Sequence, residues 1–563
     1  MSKDSVVADT PGLSILKDLS IIRFTLTYFR TTHLCMAMNG KQACDRYKGS
    51  QPMTTKTNNG LRLFIFHRDL RLPDNTALLR LAEKTQDSRI IPAFIFDPVQ
   101  VDAKRNPYYS RPAVQFMCEC LEALDVELRA LGSRLHVYHG DTLSILETLH
   151  AKSPIKSIGW NVDPSAFART RDARIEAWAS RKHIDVVTAE DYYLTAEAEG
   201  LREGAPYAKP YMVLSAFWKW FLKNSPTRPV STTKLGRSDF GVLKDSNLEH
   251  TNINNHTQKV CPGRLPDSTF EGGRHKALIR LKALKNQKAY AATRDFPALA
   301  DGTTRLSPYI KFGAVSIREV YWEARRHLGS DSPLIRELVF RDFYAKIYSA
   351  RPELHYQGHE GRPGKPMQAI LSDLDKHLGW WPANSSPEAH RRYTAWTLGR
   401  TGFPLVDAGM RELVSTGHQH NRVRMLCASV LTKYFWIDWR DGARFYYQHL
   451  VDADPFSNTA GWGFASSTGA DAVPYFRAPF NPFIQSKRFD AEAVYIKKWV
   501  PELADVPAKA IHAWNDAKVR EYVEAKGHGT TYPAPIVDSK VASAAAIAAF
   551  KAAAAKAKAK AEQ

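Results

Sequence analysis

The sequence predicts an α/β domain built on a doubly wound parallel sheet, followed by an all-α domain. Three observations carry this. Short, β-rich apolar runs alternate with helical stretches from residue 61 to about 195. A connection rich in Ser, Thr, Asn and Pro follows. Beyond about residue 272 the strand signal ends and apolar residues recur at helical spacing. Strands alternating with helices imply parallel pairing, because each crossover helix returns the chain to the same end of the sheet.

The runs are RLFIF (62–66), RIIPAFIF (89–96), RLHVYHG (134–140), SIGWNV (157–162) and DVVTAED (185–191), with DNTALLRLAEKT and SRPAVQFMCECLEALDVELRAL as helices between them. Together they predict one α/β domain over 61–195, whose ligand site belongs at the carboxyl ends of the strands. Residues 196–271 are expected to be an interdomain connection, with NSPTRPVSTTK and HTNINNHTQKVCPGRLPDST as its loops. In the helical domain, 272–510, Val423, Cys427, Val430 and Tyr434 recur on one helix face. Residues 511–563 form a C-terminal segment. Its Ala-rich end, with Lys551, Lys556, Lys558 and Lys560, reads as a solvated basic helix or a disordered tail. Residues 1–60 read as a disordered extension, with Met53 as a natural start and organelle targeting as the alternative.

The 563 residues carry a formal charge of +20, which suits a polyanionic partner, nucleic acid before acidic membrane. Six cysteines without a paired CxxC array argue against structural zinc and for a reducing compartment. No apolar run is long enough to span a membrane. The expectation is a soluble, intracellular protein, in the nucleus or an organelle if the source is eukaryotic.

GHEGRPGKP (358–366) is not a phosphate loop, because its spacing is wrong and Pro366 follows Lys365. No GxGxxG follows the first strand. GTTRLSPYIKFGAVS (302–316) offers hydroxyls, backbone amides and Arg305 at a helix start, which suits a phosphate. Asn421 and Arg424 share a helix face, and a buried Arg424 needs Asp452 or Asp454 as its counter-ion. His418 and His420, two residues apart, point in different directions, so no metal is expected. Of 13 tryptophans most serve packing. Trp380, Trp381, Trp396, Trp436, Trp439 and Trp462 lie near acids, however, in a pattern suited to a large planar redox ligand.

From Leu61 to about Leu503 the chain resembles the photolyase/cryptochrome family. The motifs that carry the resemblance are FHRDLRLPDN (66–75), GTTRLSPY (302–309), RELVFRDFY (336–344), GRTGFPLVDAGMREL (399–413), GHQHNRVRM (417–425) and the long DWRDG…DADPFSNTAGWGFASSTGADAVPYFR stretch (438–477). The resemblance implies an antenna domain and a helical domain that holds FAD. Its antenna chromophore, methenyltetrahydrofolate or 8-hydroxy-deazaflavin, stays undecided. It further implies that Tyr290 and the run Thr303, Thr304, Arg305, Leu306 and Ser307 hold the FAD phosphates. Asn421, Arg424, Asp452, Ala453 and Asp454 would hold the rest of the cofactor, with Arg424 paired to Asp452. Asn458 would face flavin N5, where an amide has no proton to give at neutral pH.

The electron relay implied is Trp462, then Trp439, then Trp380 or Trp381. Damaged DNA containing pyrimidine dimers is the implied partner, bound by a monomer. Glu337 would hydrogen-bond the flipped lesion, with Asn421, Met425, Phe340 and Phe464 around it and Arg294, Arg341, Arg422 and Gln485 toward DNA. Asn421 and Met425 stand where the (6-4) branch has histidines, and NTAGWGFASSTG follows the cyclobutane-repair pattern. The sequence is most like a class I enzyme for cyclobutane dimers. A cryptochrome photoreceptor is the alternative, favoured by Phe340 in the pocket wall and by the tail.

Overall fold

The structure is a computed structural model that describes residues 60–83, 88–202, 209–243, 253–261, 269–351, 354, 369–470 and 479–561. The expected extension lies outside these up to residue 59, as does the Gly358–Pro366 stretch. Five strands, β1 (Leu61–Phe66), β2 (Ile90–Phe96), β3 (His136–His139), β4 (Ile155–Val162) and β5 (Asp185–Glu190), form a parallel sheet in the order β3-β2-β1-β4-β5. β1 and β2 are buried along their whole lengths, which is why they read as continuous apolar runs rather than alternating ones.

Successive β1 side chains enter different cores. Phe64 and Phe66 pack with α1 (Thr76–Glu83) and α2 (Arg111–Ala130). Leu63 and Ile65 pack with α3 (Thr142–Lys152) and α4 (Ala166–Arg181) on the other face. Ser110 caps α2 through Ala113 N, with Pro112 in the first turn, as a helix start in this sequence should be built.

The connection between the domains is more structured than its composition predicts. It contains α5 (Leu214–Asn224), whose Phe217 and Phe221 are buried in the main core. The helix is short and flanked by polar loops, so the loop signal dominates the reading.

The helical part includes α6 (Ile317–Leu328), α7 (Pro333–Ser349), α8 (Ser372–Leu378), α9 (Asn421–Lys433), α10 (Trp439–His449), α11 (Pro455–Ser466), α12 (Pro482–Phe489) and α13 (Ser539–Ala561). α11 is its hub, packed on α7, α9 and α10. Small residues allow this closeness. A Cβ on Gly442 of α10 would stand 2.2 Å from the Trp462 ring.

α13 is the Ala/Lys tail, and it is neither fully solvated nor disordered. Ala546, Phe550 and Ala553 recur on one face and are buried, and the helix packs on α8 and α9. Lys551, Lys556, Lys558 and Lys560 stay on exposed positions.

Four buried charges join the two halves. Asp191, just past β5, receives Arg71 at 2.6 Å and Arg318 of α6 at 2.7 Å, and Arg318 also reaches Asp74 at 2.9 Å. Burial alone would raise the Asp191 carboxyl, but the two guanidiniums outweigh it and hold it well below the usual carboxylate range. Much of the RDLRLPDN motif is therefore an interdomain staple.

Candidate active site

α11 begins with Asp454, whose Oδ1 accepts from Phe456 N at 3.1 Å and Ser457 N at 3.0 Å. Its Oδ2 takes Arg68, at the end of β1, at 3.2 Å. The Asp454 carboxylate thus closes a helix end and an interdomain ion pair. One turn on, Asn458 donates from Nδ2 to the Ala443 carbonyl at 3.1 Å. A carbonyl only accepts, so this contact fixes the amide's orientation and turns Oδ1 to the other side.

Asp452 pairs with Arg424 Nη2 at 3.0 Å, which decides between the two carboxylates left open for that arginine. Burial pushes the Asp452 carboxyl up, while Arg424 and a bond from Ser307 pull it further down, to about 2. Its Oδ1 is buried with no protein partner. Arg305 has φ 52°, and Leu306 follows at φ −86°, ψ −10°. A left-handed residue before a right-handed one turns successive amides into a concave, anion-binding nest. Tyr290 is buried, with Arg294 over its ring, and Thr304 Oγ1 accepts from Leu306 N at 3.4 Å. Asn421 opens α9 with its side chain exposed. An orphaned carboxylate oxygen, a nest and a free amide are groups that a flavin nucleotide would satisfy, so these residues fit FAD. Ala453, by contrast, lines a cavity on the sheet side.

Glu337 lies on α7 and pairs with Arg294 at 2.7 Å, and Arg422 pairs with Asp295 at 2.8 Å. Phe340, Met425, Phe464 and Gln485 are all half-buried. Arg341 is not part of this group. Its guanidinium donates to the Tyr192 carbonyl and stacks 4.4 Å over Tyr193, on the α/β side, where it helps lower the Asp454 pKa. The resemblance implies a place toward DNA for Arg341; the tyrosine carbonyl claims the side chain instead.

Trp462 and Trp439 are buried, and Gly442 places the Trp462 ring against α10, three residues beyond Trp439. Trp439 Nε1 donates to Asp375 Oδ1 at 3.2 Å, and Trp380 Nε1 donates to the same oxygen at 2.8 Å. Trp381 is 37% exposed and stacks under Arg392. Trp380 in turn packs on Trp436 at 4.8 Å and on Phe550 of α13.

Residues 62–233 match the family profile described as DNA photolyase, and residues 334–552 the one described as the FAD binding domain of DNA photolyase. A deoxyribodipyrimidine photo-lyase from Alkalihalophilus pseudofirmus is 35% identical over 495 residues, which are 85% of this chain and 96% of that one. This chain belongs to the DNA photolyase family. Among solved structures, an archaeal photolyase from Sulfolobus tokodaii with two FAD molecules matches at TM-score 0.72 and 33% identity, covering 87% of this chain and 99% of its own. A bacterial class III photolyase from Agrobacterium tumefaciens matches at TM-score 0.75 and 28% identity, covering 89% of this chain and 99% of its own.

A photolyase fold with this sheet order places a ligand crevice where the order reverses, between β1 and β4. A cavity of about 360 Å³ lies there, lined by His67, Arg68, Asp97, Phe167, Lys311 and Tyr447 among others. Sequence reasoning missed Arg68 and Lys311. Arg68 carries Asp163 and Asp454 together and stacks on Tyr192. Burial pulls the Lys311 ammonium down to about 8 against the pull of Asp452 and Asp454. The motif RDLRLPDN was the available signal for Arg68; nothing local marked Lys311. Among the described residues no helix is long and apolar enough to cross a membrane.

Proposed function

We propose that this photolyase splits cyclobutane pyrimidine dimers in DNA under blue light. Bound FAD would supply the light-absorbing electron donor that opens the cyclobutane ring and takes the electron back. The residue that carries the reading is Asn458. Its nitrogen is tied to Ala443, so it turns a neutral oxygen acceptor toward the space where the resemblance puts flavin N5. An amide there cannot deliver a proton, which favours a reduced, anionic donor, as repair requires, over a protonated signalling state.

Around it the chain's residues bind and orient. The nest at Arg305 and the hydroxyls of Thr303 and Thr304 receive phosphates, while Ser307 steadies Asp452, and Arg424 and Asp452 hold the flavin edge. Glu337 turns its carboxylate to an N–H of the flipped base. Phe340 and Phe464 offer ring faces to the lesion, with less area than tryptophan would give. A base must leave the stack to reach this depth, a step the family shares with other base-flipping enzymes. The outer indole of the relay is Trp380, because it shares the Asp375 oxygen with Trp439; Trp381 is a surface residue. The cavity at the β1/β4 crevice suits a planar antenna ligand, and the absorption spectrum of the purified protein identifies which.

The decisive assay is light-dependent loss of thymine dimers from ultraviolet-treated DNA by reduced, FAD-loaded protein. Glu337→Ala lowers the yield at least about tenfold, the scale of one lost charged hydrogen bond. No turnover by the wild type with FAD fully bound sinks the reading and leaves the cryptochrome role. The relay is tested separately: Trp380→Phe slows photoreduction and Trp381→Phe leaves it unchanged. Equal rates in the two variants would remove the Trp380 assignment.

A further inference from the structure

Arg294, Asp295 and Phe296 are consecutive, and each engages a different helix. Arg294 pairs with Glu337 of α7 at 2.7 Å. Asp295 pairs with Arg422 of α9 at 2.8 Å. The Phe296 ring lies 6.4 Å from Phe489 of α12, and the Arg422 guanidinium sits 4.7 Å over that same Phe489 ring. Arg422 is thus clamped, with a ring on its face and Asp295 on its edge. Two of the three arginines expected to face DNA, Arg294 and Arg422, are thus paired with carboxylates.

From this arrangement we propose that the Arg-Asp-Phe clasp is an electrostatic latch, in which Glu337 discriminates damaged from intact DNA through Arg294, and Asp295 restrains the phosphate contact of Arg422 on either duplex. The inference rests on the repair reading above and adds a specificity determinant to the same site. The argument is one of exchange. A flipped dimer offers Glu337 a base N–H, so Glu337 leaves Arg294, and Arg294 gains a phosphate in return. Intact duplex presents no flipped base. It reaches Arg294 and Arg422 only by stripping Glu337 and Asp295 of their partners. The clasp therefore penalises every complex that does not fill the pocket. Asp295 touches neither base nor flavin in this scheme; it is a positioning residue acting through Arg422. All four side chains are between 22% and 37% exposed, open enough for phosphates to compete.

The test is equilibrium binding of the FAD-loaded full chain to a duplex with one thymine dimer and to the same duplex undamaged, across a salt series. Asp295→Asn frees Arg422. Affinity for undamaged duplex rises about two- to fivefold, the range of a partly exposed ion pair. The slope of log affinity against log salt steepens by about 0.9, one more phosphate contact. Affinity for the dimer duplex rises by a similar factor, because the flipped base offers Asp295 no replacement for Arg422. Asp295→Glu restores the wild-type slope, which a merely structural role for residue 295 would not require. If both affinities and the slope stay at wild-type values in Asp295→Asn, the latch is overturned. If the asparagine variant loses affinity for both duplexes alike, Asp295 orients Arg422 for DNA rather than restraining it, and the latch is equally overturned. Wild-type protein with no preference for the dimer duplex would instead overturn the repair reading itself.

Discussion

Two sets of arginine–carboxylate pairs tie segments of this photolyase together, one between the domains and one at the mouth of the proposed lesion site. Their distances hardly differ. Arg71–Asp191, Arg318–Asp191 and Arg318–Asp74 stand at 2.6, 2.7 and 2.9 Å, and Arg294–Glu337 and Arg422–Asp295 at 2.7 and 2.8 Å. Burial separates them. The first set is 1–4% exposed and the second 22–37%. In the dry cluster an abandoned charge has no water to return to, so the pairs cannot be exchanged one at a time. At the mouth, water and phosphate are both alternatives. The same chemistry fixes a fold in one place and makes a replaceable contact in the other.

The largest expected effect breaks the buried set. Asp191→Asn keeps the shape but leaves Arg71 and Arg318 short of a counter-charge, and costs about 3–5 kcal/mol. The urea midpoint at pH 7 reads it. Because the folded Asp191 carboxyl titrates well below its unfolded value near 4, its contribution is complete above about pH 4 and is lost as pH falls through the folded value. The gap between wild type and variant therefore shrinks below pH 4. A midpoint unchanged at pH 7, or a gap that survives undiminished at pH 2, would show that burial does not give this cluster its strength.

The comparison also explains what was legible in the sequence. The five strands are local signals, since each is a run of apolar, β-rich residues, and all five were found within about two residues of their ends. The motif RDLRLPDN was visible, but its partners were not. Arg68 meets Asp454 and Arg318 meets Asp74 across 386 and 244 residues. No periodicity encodes contacts of that range, so the buried pairs are absent from any local reading. The resemblance paired Arg424 with Asp452, as the structure does, because it carries position, which spacing does not. It failed to place Arg341, since a motif names a residue without saying which way its side chain turns. The tail's docked face was missed for a compositional reason: alanine contributes little contrast between a buried and an exposed face, and only Ile547 and Phe550, one turn apart, mark the docked side.

The smallest expected effect sharpens the mouth. A double-mutant cycle with Arg294→Ala and Glu337→Ala, read by urea midpoint without DNA, isolates the coupling of that pair. The expected coupling is about 0.2–1 kcal/mol, falling further in high salt, because both groups stay in reach of water. The matching cycle with Arg318→Ala and Asp74→Ala should give a clearly larger coupling that salt does not screen. A coupling above about 2 kcal/mol at the mouth would make Arg294–Glu337 a structural staple like the buried set. Glu337 would then be too tightly held to turn toward a base, and lesion recognition would have to come from the ring faces of Phe340 and Phe464 and the amide of Asn421.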